Sequence, residues 1–284
     1  FKLISTLEKE ITFRFLKARK KDGFLNVISI FSFIGISLGV AVLIIVMSVM
    51  NGFRTELINK IVGFNSHITI KSYDDNGIDQ NKLNNNNLKS ISENLVFSNS
   101  GEAIILKNNT SKGIVLRGYL TKEFSNLAII KNDKLKGNRS KLNKNSISIG
   151  NELSFSLDLK IGDKITLMSP SGVETIIGSM PKQKTFEITS IFNSGLADFD
   201  NNIAIINLDT LDEFFDFEQK DRNLEIYLKD PKNIESQKQI VQKIFDQEFI
   251  FTWADMNSSL FSALKVERNV MFIILSLIII VAAF

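Results

Sequence analysis

The chain contains no cysteine and a single histidine, His67, among 284 residues. The first absence excludes disulfides, thiol catalysis and cysteine-type zinc sites, so any extracytoplasmic part must hold together by its own apolar core. The second leaves no partner imidazole for a metal, and His67 reads as a residue at the start of a strand. No phosphate loop of the form G-x-x-x-x-G-K-[ST] occurs, because Gly162-Asp163-Lys164 lacks both the preceding glycine and the following hydroxyl. No nucleophile comes with a base in view. The expectation is a non-catalytic chain with no metal site and no cofactor of its own, whose energy for any work comes from a partner.

Charge is missing in one more place, and there the absence is informative. No charged residue stands between Phe24 and Phe53, and the run over 25–50 is mostly Leu, Ile, Val and Phe. Each of these is worth about −0.3 to −0.6 kcal/mol for insertion at a helix centre, against about +3 for one charge. At about 1.5 Å per residue the run reaches about 39 Å, enough to cross a hydrocarbon core of about 30 Å. It is read as a transmembrane helix. A cleaved signal peptide fits poorly, since its apolar region would end after about 7–15 residues at a small-residue site. Gly35 and Gly39 make a G-x-x-x-G within the run, which is either a close contact with another helix or a chance pattern.

What is present around that run sets its orientation. Arg14, Lys17, Arg19, Lys20 and Lys21 crowd the entry side with Asp22 as the only nearby acid, so the N-terminus is expected in the cytoplasm. The net charge of +3 comes from this segment, and it reports membrane orientation rather than nucleic-acid binding. Leu7, Ile11 and Phe15 fall along one side of residues 5–22. Residues 1–24 are therefore read as an amphipathic helix in the cytoplasmic interface, against lipid, with a helical continuation of the span as the other reading. The run over 270–284, VMFIILSLIIIVAAF, is apolar except for Ser276. Fifteen residues are too few to span, so 269–284 is read as the start of a second transmembrane helix in a truncated chain, with something missing at the front as well. Residues 51–268 would then lie together on the non-cytoplasmic side, which the resemblance given below makes periplasmic.

Within that stretch, apolar residues at 53, 57, 58 and 61 continue the span as a helix, stopped by Gly63. His67-Ile68-Thr69-Ile70 alternates with period two and opens a folded domain as a strand. Residues 74–90, with the tract Asn84-Asn85-Asn86-Asn87, read as loop. Strands are expected at 102–108, 113–119, 146–150, 163–169, 185–193, 202–208, 224–229 and 249–252. Helices are expected at 151–157, 209–219 and 232–246, and 254–284 as one helix. The sum is an α+β domain of two lobes, one rich in strands and one of β-α-β character.

Two constellations stand out. Pro170, Met180, Pro181, Lys182, Gln183 and Lys184 fall in a segment between two strand-like arms, which by composition alone is a polar loop and by its arms could be an exposed hairpin that grips a partner. Met47, Met50, Phe53, Leu260, Leu264 and Met271 gather near the membrane boundary, where they either pack two helices together or line a greasy cleft.

The runs VMSVMNGFRTEL (46–57), MPKQKTFEITSIFNSGLADFD (180–200) and TWADMNSSLFSALKVERNVMFIILSLIIIVAAF (252–284) closely resemble the LolC/LolE family of lipoprotein-releasing permeases. IGNELSFSLDLKIGDKITLMSPSG (149–172) is similar to the wider family that includes MacB and FtsX. The resemblance covers the chain from about residue 10 to its end and is weakest over 74–145. It implies transmembrane helices flanking a large two-lobed periplasmic domain of the MacB/FtsX type, in a multi-pass protein of the bacterial inner membrane. It also implies an ABC transporter of the mechanotransmission type. The partners so implied are a LolD-like ATPase that uses ATP and Mg, a second permease (a LolC/LolE-type paralogue or a second copy), lipoprotein substrates and a LolA-like periplasmic chaperone. A hairpin hook recruits the chaperone in LolC-like members, and the matching position is 170–186, with its tip at 180–184. Two other readings stay open: a MacB- or FtsX-like permease for efflux or cell-wall hydrolase regulation, and a two-span sensor with an extracytoplasmic ligand domain.

Overall fold

The computed structural model describes residues 23–283 apart from 74, 108–109, 128–129, 131–134, 139–141 and 176–177, together with residues 7, 8, 10, 11 and 14. The amphipathic helix expected over 1–24 lies almost wholly outside the described residues. The chain divides into two units, one made of Phe1–Glu56 with Ser258–Phe284 and the other of Leu57–Asn257.

The first unit is helical. Gly23–Phe64 forms one unbroken helix of 42 residues, about 63 Å long at about 1.5 Å per residue. Nothing in it breaks the ladder, since it holds no proline and its β-branched residues are in apolar surroundings where backbone bonds must close internally. Among the described residues it is the one helix long and apolar enough to cross a membrane. Phe31, Phe33 and Leu38 are 71 %, 67 % and 64 % exposed, a density of bare apolar surface that suits hydrocarbon and not water. Gly63, expected to stop the helix, lies in its last turn. The unit's other helix, Ser258–Ala283, likewise exposes Phe272, Ile274, Leu277 and Ile278.

The second unit is built on strands β1 (Ile68–Lys71), β2 (Ser92–Lys107), β3 (Thr110–Tyr119), β4 (Leu135–Gly137), β5 (Ser146–Gly150), β6 (Lys164–Thr175), β7 (Gly178–Phe192), β8 (Ile203–Asn207), β9 (Asn223–Leu228) and β10 (Phe249–Thr252). All ten join one mixed sheet in the order β10-β1-β9-β2-β3-β8-β5-β7-β4, with β6 paired to β2 and β7. Pairing is antiparallel except for β3 with β8 and β5 with β7. Period-two alternation feeds two apolar clusters. Ile105, Leu116, Ile149, Leu167 and Phe186 meet Phe214 of the helix Leu208–Phe215 in one, while Phe64, Tyr119, Phe124, Phe192 and Ile205 form the other. Gly150 is required where β5 passes the helix Ala197–Asn202: a Cβ there would stand 2.1 Å from the Asp200 carbonyl oxygen.

Several segments differ from the sequence expectation, three of them in helices. Residues 74–90 are not all loop, because Asn85 caps the helix Asn86–Ile91 by accepting from the Asn87 amide at 2.9 Å. Part of the asparagine tract is therefore cap chemistry. Residues 254–284 do not form one helix: Trp253–Met256, opened by a Thr252/Asp255 capping box, breaks at Asn257 before Ser258–Ala283 begins. The helix expected at 209–219 ends at Phe215, where Asp216 adopts a left-handed φ of 58°.

The end of the long helix is fastened to the sheet. The Phe64 ring lies 5.9 Å from Phe192 and 5.0 Å from Phe199, with the Arg117 guanidinium 5.0 Å above it. Arg117 Nη2 also donates to Asn65 Oδ1 at 2.8 Å. Three residues on, the Leu228 amide donates to His67 Nδ1 at 2.7 Å. Burial holds the imidazole below its ordinary proton affinity, so His67 is neutral in the fold.

Two outcomes follow, both readable from the fluorescence of the lone Trp253, which is buried in this unit. Gly150→Ala lowers unfolding stability by about 1–3 kcal/mol, because backbone rather than a side chain must move aside. The His67 contribution is full above the ordinary pKa of 6.5 and is lost as pH falls below it, since the unfolded chain takes up the proton first. The wild-type melting temperature therefore drops with acidification over that range, and His67→Gln has a shallower dependence. An unchanged slope would sink the assignment.

Candidate functional site

In the first unit the half-buried positions of the long helix include Gly35, Gly39, Leu43, Met47, Met50 and Arg54. They recur at spacings of three and four, which places them on one face. The final helix offers Leu260, Leu264, Met271, Leu275 and Ile279 in the same way, and Leu275 is buried. The two faces meet. A Cβ built on Gly39 would lie 3.4 Å from Ile279 Cγ1, so this glycine sets the closeness of the helices, as small residues do in membrane pairs. The five residues 35–39 also spell G-x-S-x-G, but Ser37 sits inside a continuous helix and not at the strand-to-helix turn that exposes a nucleophile.

Further along this face the helices leave a small pocket of ≈ 30 Å³. Met47, Met50, Leu264 and Met271, four of the residues expected to line a cleft, border it together. Phe53 and Leu260 do not: Phe53 is 57 % exposed, and Leu260 is half-buried one turn before Leu264. The pocket adds what apolar periodicity could not signal, namely Asn51, Arg54, Glu267 and Arg268 at its border. Its lining thus mixes thioether and aliphatic groups with charged ones. Methionine gives such a wall unusual freedom to reshape, through an unbranched and polarizable chain.

In the second unit, β6 and β7 form a long antiparallel hairpin. The register is regular from Lys164↔Glu187 to Met168↔Gln183, shifts, and resumes from Gly172↔Pro181 to Thr175↔Gly178. Only the lower part of β6 pairs with β2, through Thr166, Leu167 and Met168. The upper part has its partner in β7 alone. Pro170 falls in the shifted stretch, where a missing amide costs no ladder bond; its side chain and those of 171–179 lie outside the described residues. Met180 is 58 % exposed on this upper part. Lower down, Lys182 pairs with Asp216 at 2.5 Å and Lys184 with Glu213 at 3.7 Å. The two cations expected at a binding tip are therefore engaged with the end of the helix Leu208–Phe215. Gln183 lies beside Met168, with Nε2 4.0 Å from its sulfur.

Among the described residues, no group of three or more His, Asp or Glu side chains gathers as metal ligands. The one deeply buried carboxylate in the sheet, Glu225, accepts from Ser98 Oγ at 2.6 Å, Tyr227 Oη at 2.9 Å and Tyr119 Oη at 3.2 Å. With its lone pairs so occupied it ties β2, β3 and β9 together. Burial, and then the nearby carboxylate, pushes both tyrosine hydroxyls well above their ordinary pKa, so neither is a ready proton donor.

Residues 29–244 match the model of the MacB-like periplasmic core domain. The chain is 30% identical to the lipoprotein-releasing system transmembrane protein LolC of Neisseria meningitidis serogroup B, over 98% of this chain and 68% of that protein. It is 25% identical to LolC of Xylella fastidiosa, over 99% of this chain and 69% of the relative. Among solved structures, the periplasmic region of MacB from Actinobacillus actinomycetemcomitans aligns with 70% of this chain and 95% of its own, at 11% identity and a TM-score of 0.41. A match to the core-domain model over most of the chain, joined to similarity with LolC over nearly all of this chain, establishes that the protein belongs to the LolC/LolE family of lipoprotein-releasing transmembrane proteins.

Proposed function

We propose that this chain is the permease subunit of an ABC transporter that extracts lipoproteins from the periplasmic leaflet of the inner membrane and passes them to a periplasmic chaperone. In this reading the N-terminus is cytoplasmic, residues 51–268 are periplasmic, and a LolD-like ATPase supplies the work by hydrolysing ATP with Mg. A second permease, either a LolC/LolE-type paralogue or another copy, completes the membrane part. The periplasmic body is the two-lobed one of the MacB/FtsX type.

The observation that carries the reading is the helix pair with its methionine-lined pocket. A triacylated protein drawn into water would expose about forty methylenes, costing about 30 kcal/mol at about 0.8 kcal/mol each. Polar contacts on a periplasmic domain do not offset a term of that size. An apolar surface that opens between two membrane helices does, because acyl chains pass from hydrocarbon to hydrocarbon-like wall without an aqueous stage. Met47, Met50, Leu264 and Met271 are suited to that task, with Phe53 and Leu260 as flanking apolar surface. Work from the ATPase travels along the helix Gly23–Phe64, whose last turns are fastened by Phe64 and Arg117.

Handover is assigned to the β6–β7 hairpin. Its upper part is held by one partner strand, presents Met180, and rises from a base anchored by Lys182 and Lys184. Surface ion pairs of this kind are worth about 0–1 kcal/mol each, enough to bias the hairpin's direction while leaving it free to yield to a chaperone.

Met50→Asp combined with Leu264→Asp is expected to leave lipoproteins in the inner membrane, measured as the fraction released from spheroplasts to added chaperone. Normal release in that double variant refutes the cleft. Met180→Asp is expected to weaken chaperone capture about tenfold while basal ATP hydrolysis stays unchanged, as loss of a contact worth about 1.4 kcal/mol would do. Undiminished capture removes Met180 from the handover surface.

A further inference from the structure

Beside the fastened end of the long helix, the second unit holds a cavity of ≈ 330 Å³ that the transport reading leaves unused. Its volume is within the range of small-ligand sites, about 300–1,000 Å³. Five separate stretches converge on it: the helix end, the approach to β1, the start of β2, the segment after β3, and β9. The floor is apolar, with Val96 and Leu127 buried and Val62 beside them. The rim is polar. Asn59, Glu93, Asn94 and Asn126 make no side-chain hydrogen bond to any described residue. The contrast with Glu225, saturated by three hydroxyls nearby, is sharp.

The electrostatics select the ligand. Among the described residues Glu93 is the only charged one lining the cavity, and burial keeps His67 neutral, with its Nδ1 accepting the Leu228 amide. A single negative charge beside the Tyr227 and His67 rings, which stand edge to face at 5.9 Å, favours a cation. A bare metal ion is disfavoured, since no cluster of ligating side chains is present among the described residues. Carboxamide oxygens scattered around one carboxylate suit a compact ammonium with three donors better than a planar guanidinium, which asks for one bidentate acceptor. The apolar floor suits an aliphatic stem lying beneath a charged head. An ethanolamine phosphate head group fits less well, because no Lys or Arg among the described residues lines the cavity to meet its phosphate.

We infer that this cavity binds a lysine side chain of a polypeptide partner, the ammonium held by Glu93, Asn94 and Asn126 and the methylenes laid on Val62, Val96 and Leu127. The inference does not rest on the transport reading, since it needs only the second unit's own walls.

The test is calorimetric titration of the full chain in detergent with the tripeptide Gly-Lys-Gly blocked at both ends, and with its Nε-acetyl and norleucine counterparts. The lysine form is expected to saturate, to weaken as salt is raised, and to bind about tenfold or more tightly than either neutral form, a difference of about 1.4 kcal/mol. Glu93→Gln, a change on an exposed side chain, is expected to abolish that discrimination, and Asn126→Ala to reduce it. Equal binding of the three peptides, or no binding of the lysine form at about 10 mM, the weak end of measurable affinity, overturns the proposal. Tighter binding of ethanolamine phosphate than of the lysine peptide would overturn it in favour of a lipid head group.

Discussion

A helix that buries none of its apolar window inside its own protein can persist only where the solvent is itself apolar. That constraint organises the rest of the chain. It fixes the helix as the backbone solution, because every amide in a bilayer must bond within its own segment. It also makes the other elements answer to the helix, since a sheet domain attached to such a rod must grip its last turns. The grip is built from side chains of several types at once: aromatic faces around Phe64, a guanidinium that serves both that ring and Asn65, and an imidazole that takes up an otherwise unpaired strand amide. No one of these is strong, and their directions differ.

The sheet domain reaches stability without any cross-link. A unit of this size buries enough surface to support a core on its own, and here it supports two clusters on one continuous sheet. The buried polar groups are consistent with that economy. Glu225, Tyr119, Tyr227 and Ser98 complete one another, and Arg222 joins Asp212 and Asp209 in a second network. The first links segments far apart in sequence, and so specifies which strands become neighbours, while the second ties the helix Leu208–Phe215 to the residue just before β9.

Much of this was legible in the chain, and the reasons for the rest are physical. The long helix could be read because absence of charge over 25–50 is a strong and local signal. Strands such as β5 and β8 could be read because short apolar runs bounded by turn residues are local too. The first half of β2 could not: Ser92, Asn94, Ser98, Asn99 and Gly101 look like loop, and only the neighbours β9 and β3 make them strand. β4 is three residues long and exists through its pairing with β7. The parallel pairings bring together stretches whose separation in the chain carries no signature. At the candidate site, the four pocket residues Met47, Met50, Leu264 and Met271 were accessible from apolar spacing, whereas Arg54 and Glu267 were hidden because charge near a membrane boundary is ordinary. Lys182 and Lys184 looked like free cations; their partners Asp216 and Glu213 lie on another element, and sequence distance concealed the pairing.

The two passages between helix and sheet are not alike. On the way in, the chain is a single unbroken helix up to Phe64; on the way out, a one-turn helix ends at Asn257, whose side chain folds back to the Trp253 carbonyl, before the final helix starts. The inward passage keeps its backbone ladder without a gap, whereas the outward one gives it up at Asn257, so a bend in the backbone sacrifices fewer hydrogen bonds at the second than at the first.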